Sequence, residues 1–162
     1  MRKKHRNDDR IKVVFFQGIQ EFSADGTYRR EIKLYKRGLE EYSKTFQRMR
    51  LINPVRFSMS QDTIAVVDNF KELYTYTYEG KIMQVIEDVR DCCFLDFYLF
   101  TCSQDGLLQC YDKVRIDDKK VYYSVLYRRL VDFLKTPISF MKAFNGHLIF
   151  SLNGSKKNLM IL

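Results

Sequence analysis

Short runs of alternating apolar and polar residues, separated by Gly, Asp, Asn and Ser, fill most of this 162-residue chain. Period two is the mark of a half-buried strand. The stretch "TCSQDGLLQCYD", Thr101 to Asp112, shows the pattern: an apolar run enters a Ser-Gln-Asp-Gly turn, and a second run leaves it and ends in Tyr-Asp. "IQEFSADGT" (Ile19–Thr27) and "LYTYTYEGK" (Leu73–Lys81) share one order, apolar-x-x-aromatic-x-x-acid-Gly-x. "LQCYD" (Leu108–Asp112) repeats its apolar-x-x-aromatic part. The pairs Asp25-Gly26 and Glu79-Gly80 supply the positive φ that a tight hairpin needs.

The copies are spaced regularly. Leu73 and Leu108 lie 35 residues apart, and Pro54 and Pro137 lie 83 apart, about two units of 41. Self-similarity at such a period, with several strands per unit, predicts propeller blades. The strands are expected near Ile11–Phe16, Ile19–Ser23 and Thr27–Leu34; then Val55–Met59, Thr63–Val67, Glu72–Tyr78 and Lys81–Ile86. Cys92–Phe97, Tyr98–Cys102, Leu107–Tyr111 and Val121–Tyr127 follow, and last Ile138–Lys142, Leu148–Leu152 and Asn158–Leu162. The expected class is all-β: a partial β-propeller of three to four four-stranded antiparallel blades. An antiparallel meander or sandwich is the competing architecture.

"LFTCSQDGLLQCYD" (Leu99–Asp112) resembles the second half of a WD repeat: a small-residue strand, Ser-x-Asp-Gly, then an apolar strand closing on Trp-Asp. Here Tyr111-Asp112 stands in the Trp-Asp place. The chain has no Trp, no Gly-His pair precedes this unit, and the other copies lack the closing aromatic-Asp. The resemblance implies rigid blades whose loops carry recognition, and thus a non-catalytic protein–protein interaction scaffold within a larger assembly.

A ring of four such blades needs sixteen strands, whereas about fourteen are legible. The first unit lacks its inner strand, the last lacks its outer one, and the chain closes on the apolar "KKNLMIL". The expectation is a single β domain over residues 11–162 that is completed by further sequence, a partner or a second copy.

One segment breaks the strand period. In "KRGLEEYSKTFQRMRLI", Leu39, Tyr42, Phe46 and Met49 recur at helical spacing, and Glu40 and Lys44 are placed for an i,i+4 pair. This predicts an amphipathic helix inserted at about residues 38–51. Its cations Lys36, Arg37, Lys44, Arg48 and Arg50 are the candidate partner-binding residues; the alternative is a helix whose charges are only solvated. "VLYRRLVDFLK" (Val125–Lys135) reads either as an outer strand or as a short helix.

Charge gives the candidate surface its sign. Residues 1–50 carry 14 Lys+Arg against 7 Asp+Glu, a net +7, whereas residues 51–162 carry 14 against 13, a net +1. The basic tail over residues 1–10, with its "RKKHR", reads as a solubilising disordered segment, or else as an import signal or phosphate-binding arm. The basic front points to an acidic protein partner or self-association. The alternative is nucleic acid or another anionic surface.

Little chemistry is encoded. His5 and His147 sit in no motif, and there is no Gly-rich phosphate loop, H-E-x-x-H or G-x-S-x-G. Cys92, Cys93, Cys102 and Cys110 lack the paired spacing of a zinc site and fall in strand-like runs, where Cys acts as a small buried hydrophobe. No catalytic residue, cofactor or metal is expected. No stretch has the roughly 18 apolar residues of a transmembrane span, and the charged start lacks a secretory h-region. An intracellular location, cytoplasmic or nuclear, is therefore expected.

Overall fold

The computed structural model describes residues 11–15, 18–34, 54–117, 120–130, 138–152 and 160–161. These residues form fourteen strands in four antiparallel sheets. The first sheet is β1 (Ile11–Phe15), β2 (Gly18–Phe22) and β3 (Tyr28–Lys33). The second is β4 (Pro54–Met59), β5 (Ile64–Asp68), β6 (Leu73–Tyr76) and β7 (Ile82–Ile86). The third is β8 (Asp91–Leu95), β9 (Tyr98–Cys102), β10 (Leu107–Asp117) and β11 (Lys120–Leu130). The fourth is β12 (Ile138–Phe144), β13 (His147–Leu152) and β14 (Met160–Ile161). Strands follow one another in sequence order across every sheet, so each sheet is a meander. Val125–Leu130, ambiguous by period, belongs to the outer strand β11. The expected helix at 38–51 lies outside the described residues.

The three apolar-x-x-aromatic segments are equivalent in register. Ile19 sits opposite Val14 on one side and Ile32 on the other; Leu73 sits likewise between Val67 and Ile86. Leu108 sits opposite Cys102. In each strand a bulge falls just before the aromatic, at Glu21/Phe22, Thr75/Tyr76 and Cys110/Tyr111. A bulge inserts one extra residue and increases the local twist, and its recurrence shows one structural unit used three times. By this register β1, β2 and β3 correspond to β5, β6 and β7. Among the described residues, the first unit has no counterpart of β4.

A five-residue turn also recurs, over 23–27, 68–72, 77–81 and 103–107. In each, the first N–H donates to the fifth C=O at 2.9 Å. The fourth residue, Gly26, Lys71, Gly80 or Gly106, has positive φ. At three of them the first side chain accepts from the fifth N–H: Leu107 to Ser103 Oγ at 2.9 Å, Glu72 to Asp68 Oδ1 at 3.0 Å and Lys81 to Thr77 Oγ1 at 3.3 Å. The acid-Gly signal thus marks a turn type rather than one fixed place in the unit.

Gly80 has a second constraint. A Cβ there would lie 2.8 Å from the Lys33 carbonyl oxygen of the first unit, whereas one at Gly106 meets nothing within 4 Å. Gly106→Ala should therefore cost only the left-handed backbone penalty, about 1 kcal/mol, and Gly80→Ala about 2–3 kcal/mol because the first unit must also move. Urea midpoints of the two variants test the difference. Equal losses would mean that the first unit does not press on this turn.

The sheets stack face to face, so strands in the middle of the stack are apolar on both sides. In β5, Ile64 and Val66 face the first unit with Ile19, Ile32 and Leu34, while Ala65 and Val67 join Cys92, Phe94, Leu99 and Tyr111 of the third. In β8, Cys92 and Phe94 face the second unit, while Cys93 packs with Ile138, Met141 and Phe150 of the fourth. The cysteines are therefore spacers in closely packed interfaces. Their burial pushes the thiols of Cys93 and Cys102 up to about 12 and that of Cys92 well above the ordinary thiol value, so all three stay protonated and unreactive.

Among the first strands, β8 packs against both β4 and β12. Phe57 of β4 holds the register place of Cys92 of β8, yet it is 38% exposed against 2%. Cys92 packs against Ala65 and Val67 of the second unit, whereas Phe57 stays partly open.

Candidate interaction surface

Because each sheet is a meander and the units repeat, the turns from first to second strand leave at one end. They are Ser60–Thr63, Asp96–Phe97 and Asn145–Gly146. This end carries the most exposed aromatics of the third and fourth units, Phe97 at 71% and Phe144 at 64%, with Tyr98 beside Phe97. The backbone explains the exposure. Asp96 and Asn145 adopt positive φ of 52° and 48°, which turns the chain within two residues and points the neighbouring side chains outward.

The β10–β11 hairpin rises beside these turns, each strand running 11 residues where β6 and β7 have 4 and 5. It is fastened to the second unit. The Gln84 amide bonds the Tyr123 backbone twice, donating to its C=O at 3.0 Å and accepting from its N–H at 2.7 Å. The buried Tyr123 hydroxyl donates to Thr63 Oγ1 at 3.1 Å. Lys113 donates to Asp62 Oδ2, and Arg115 reaches the same oxygen at 3.7 Å.

The fastened hairpin encloses a cleft of about 190 Å³ between the second and third units, lined by Ser60, Gln61, Asp62, Asp96, Phe97, Lys113 and Tyr123. Partial burial pushes the Asp62 carboxyl up. Lys113, Thr63 and Ser60 outweigh it, so Asp62 lies below the ordinary aspartate value and stays charged. Asp62 is occupied on both oxygens, since Ser60 Oγ and Thr63 Oγ1 bond Oδ1. Asp96 is exposed and makes no hydrogen bond or ion pair among the described residues.

A second carboxylate marks the centre of the stack. Asp91 is 3% exposed where β4, β8 and β12 meet. It accepts the Met141 N–H at 2.7 Å and the Cys92 N–H at 2.8 Å, with Arg56 Nε at 4.0 Å. Burial raises its proton affinity, against the pull of those two N–H groups and Arg56. Its place is structural: from β8 it bonds the β12 backbone, with Arg56 of β4 beside it.

The sequence-predicted partner-binding residues Lys36, Arg37, Lys44, Arg48 and Arg50 all lie outside the described residues. The cleft was not anticipated from sequence. Asp62 and Lys113 are 51 positions apart, and a local pattern does not bring them together. The strand expected over Cys92–Phe97 instead stops at Leu95, and Asp96 and Phe97 form the turn to β9. Among the described residues no cluster of three His, Cys, Asp or Glu is placed to hold a metal, and no helix is long and apolar enough to cross a membrane.

Fourteen strands in stacked meanders of up to four strands, with their first strands at the centre, define an all-β, propeller-like fold. The chain is similar to solved propellers: BamB from Moraxella catarrhalis (TM-score 0.58, 10% identity) and the Pan2 WD40 domain of Neurospora crassa (0.58, 13%). It also resembles a chain in the S. cerevisiae complex of Dbp5 with Nup159, Gle1, IP6 and ADP (0.62, 8%) and the computationally designed Ika4 protein (0.55, 7%). The alignments take in 96%, 96%, 94% and 97% of this chain in that order. This chain spans 40%, 43% and 41% of the first three and 86% of Ika4. At these identities the likeness is one of fold. No family model and no curated protein matches the chain.

Proposed function

We propose that the protein is a non-catalytic protein–protein interaction module, a propeller-like scaffold that recognises its partner with the turn end of its second, third and fourth units. The observation that carries this reading is the exposure of Phe97 and Phe144 on tight turns held by packed sheets. Aromatic anchors on a rigid frame lose little conformational entropy on binding, and such anchors supply most of the energy of an interface. The solved relatives of the fold include a WD40 domain and a complex of several proteins, which supports an interaction role. The basic front, with Lys36, Arg37, Lys44, Arg48 and Arg50, is a second element of the proposal. It would steer an acidic region of the partner and set the on-rate.

The test is site-specific photo-crosslinking in nuclease-treated extract, with the probe at Gln61 on the turn end or at Asn69 on the opposite end. The expected result is a protein adduct of fixed mass from Gln61 only, persisting in high salt. The reading is overturned if no protein adduct forms while the chain binds duplex DNA with a steep salt slope, about 0.9 log units per phosphate contact.

A further inference from the structure

We propose that the cleft between the second and third units takes an arginine side chain presented by a partner polypeptide. The inference deepens the interaction reading above and rests on it. The cleft holds Asp62, Asp96 and one cation, Lys113, so its lining carries one net negative charge in a chain of net +8. Lys113 and Arg115 are both directed at Asp62 Oδ2. The charge left for a ligand is therefore the Asp96 carboxylate, which has no partner among the described residues. Phe97, adjacent in the chain and the most exposed large hydrophobic described, forms the apolar lip of the same cleft.

An open carboxylate beside an open aromatic face is the complement of a guanidinium. Its plane stacks on the ring, and its paired N–H groups bond the carboxylate. The ammonium of lysine offers a point charge that is more strongly hydrated and stacks less well. A carboxylate ligand would meet Asp96 unpaired and find Lys113 and Arg115 already engaged. Gln61 lines the same cleft, and its side-chain carbonyl can accept a remaining N–H group. The volume, about 190 Å³, suits one side chain rather than a folded element.

The test is a nitrogen-15 amide titration of the full chain with N-acetyl-arginine amide, with the lysine and glutamate amides alongside. The arginine compound is expected to give saturable shifts at Gln61, Asp96, Phe97 and Lys113, with a dissociation constant on the order of 1 mM, the range for so small a ligand. The lysine compound should bind several-fold more weakly, and the glutamate compound should not move these amides. Asp96→Asn keeps the tolerance for positive φ and removes only the charge; it should weaken arginine binding about 5-fold, with the thermal midpoint unchanged. Phe97→Ala should weaken it similarly. Equal shifts from the glutamate compound, or unaltered arginine binding by Asp96→Asn, would overturn the proposal. A Gln61 protein adduct without arginine binding would overturn this inference and leave the interaction reading standing; no adduct together with steeply salt-dependent DNA binding would overturn both.

Discussion

Phe150→Ala is expected to lower the unfolding free energy by about 3–5 kcal/mol, read as a fall in the urea midpoint at unchanged slope. Phe150 is fully buried on β13, among Ile138, Met141, Leu148 and Leu152 of its own sheet and Cys93, Cys102 and Leu108 of the third. Deleting the ring removes its transfer free energy and leaves a cavity that two stacked sheets cannot easily close. A domain of this size has roughly 5–15 kcal/mol in total, so the variant should lose a large share of its stability. Phe150→Leu refills part of the space and should cost about 1–2 kcal/mol. A loss under about 1 kcal/mol for the alanine variant would mean that the fourth unit does not pack on the third as described.

The second large effect belongs to Asp91. Asp91→Ala leaves the buried N–H groups of Cys92 and Met141 without acceptors, and each orphan costs about 1–3 kcal/mol. The expected loss at neutral pH is about 2–4 kcal/mol. The sign of its pH dependence is opposite to the usual one for a carboxylate. Burial holds the Asp91 carboxyl above its unfolded value, near 3.8, so the folded protein binds this proton more tightly. Its contribution is fully present below that value and falls as pH rises through the window up to the folded one. The stability gap between wild type and Asp91→Ala should therefore be widest in acid and narrow as pH rises through that window. Asp62 acts in the ordinary direction, because its folded value is lowered: its contribution is present above about 3.8 and is lost as pH falls through the folded value. Urea titrations of both proteins at several pH values check this. A gap that closes in acid would show that the two N–H donors outweigh burial at Asp91.

Both effects lie at contacts between sheets, and so does the candidate cleft. The cleft exists because the β10–β11 hairpin is longer than its counterpart and is fastened across the second unit by Gln84, Tyr123 and Lys113. A short hairpin like β6–β7 would leave Asp62 without its cations and Phe97 without a facing wall. An extension of this kind gives one copy of a repeated unit a function its neighbours lack.

The local signals were strong where one strand or one turn decides them. Ile19–Phe22, Leu73–Tyr76 and Leu108–Tyr111 were legible as copies because a half-buried strand must alternate and a tight hairpin needs its acid-Gly pair. The structure adds that all three share one register and one bulge. The extension of β10 past Tyr111 was not legible. Its residues "DKVRID" are mostly charged, and charge reads as a turn although Val114 and Ile116 keep period two. The hydrogen bonds of Gln84 to Tyr123, 39 positions away, gave no sign in advance, because a glutamine in a strand has the same local propensity whether or not it meets a backbone. The sequence by itself thus determined the strands, their grouping into units and the turns between them, all set by alternation and backbone sterics over a few residues. Only the tertiary structure decided that Asp91 would bond the β12 backbone with Arg56 beside it and that Asp62, Asp96, Phe97 and Lys113 would share a cleft. Those pairings depend on how the sheets stack, and stacking is chosen by the packing of whole faces rather than by any short run of residues.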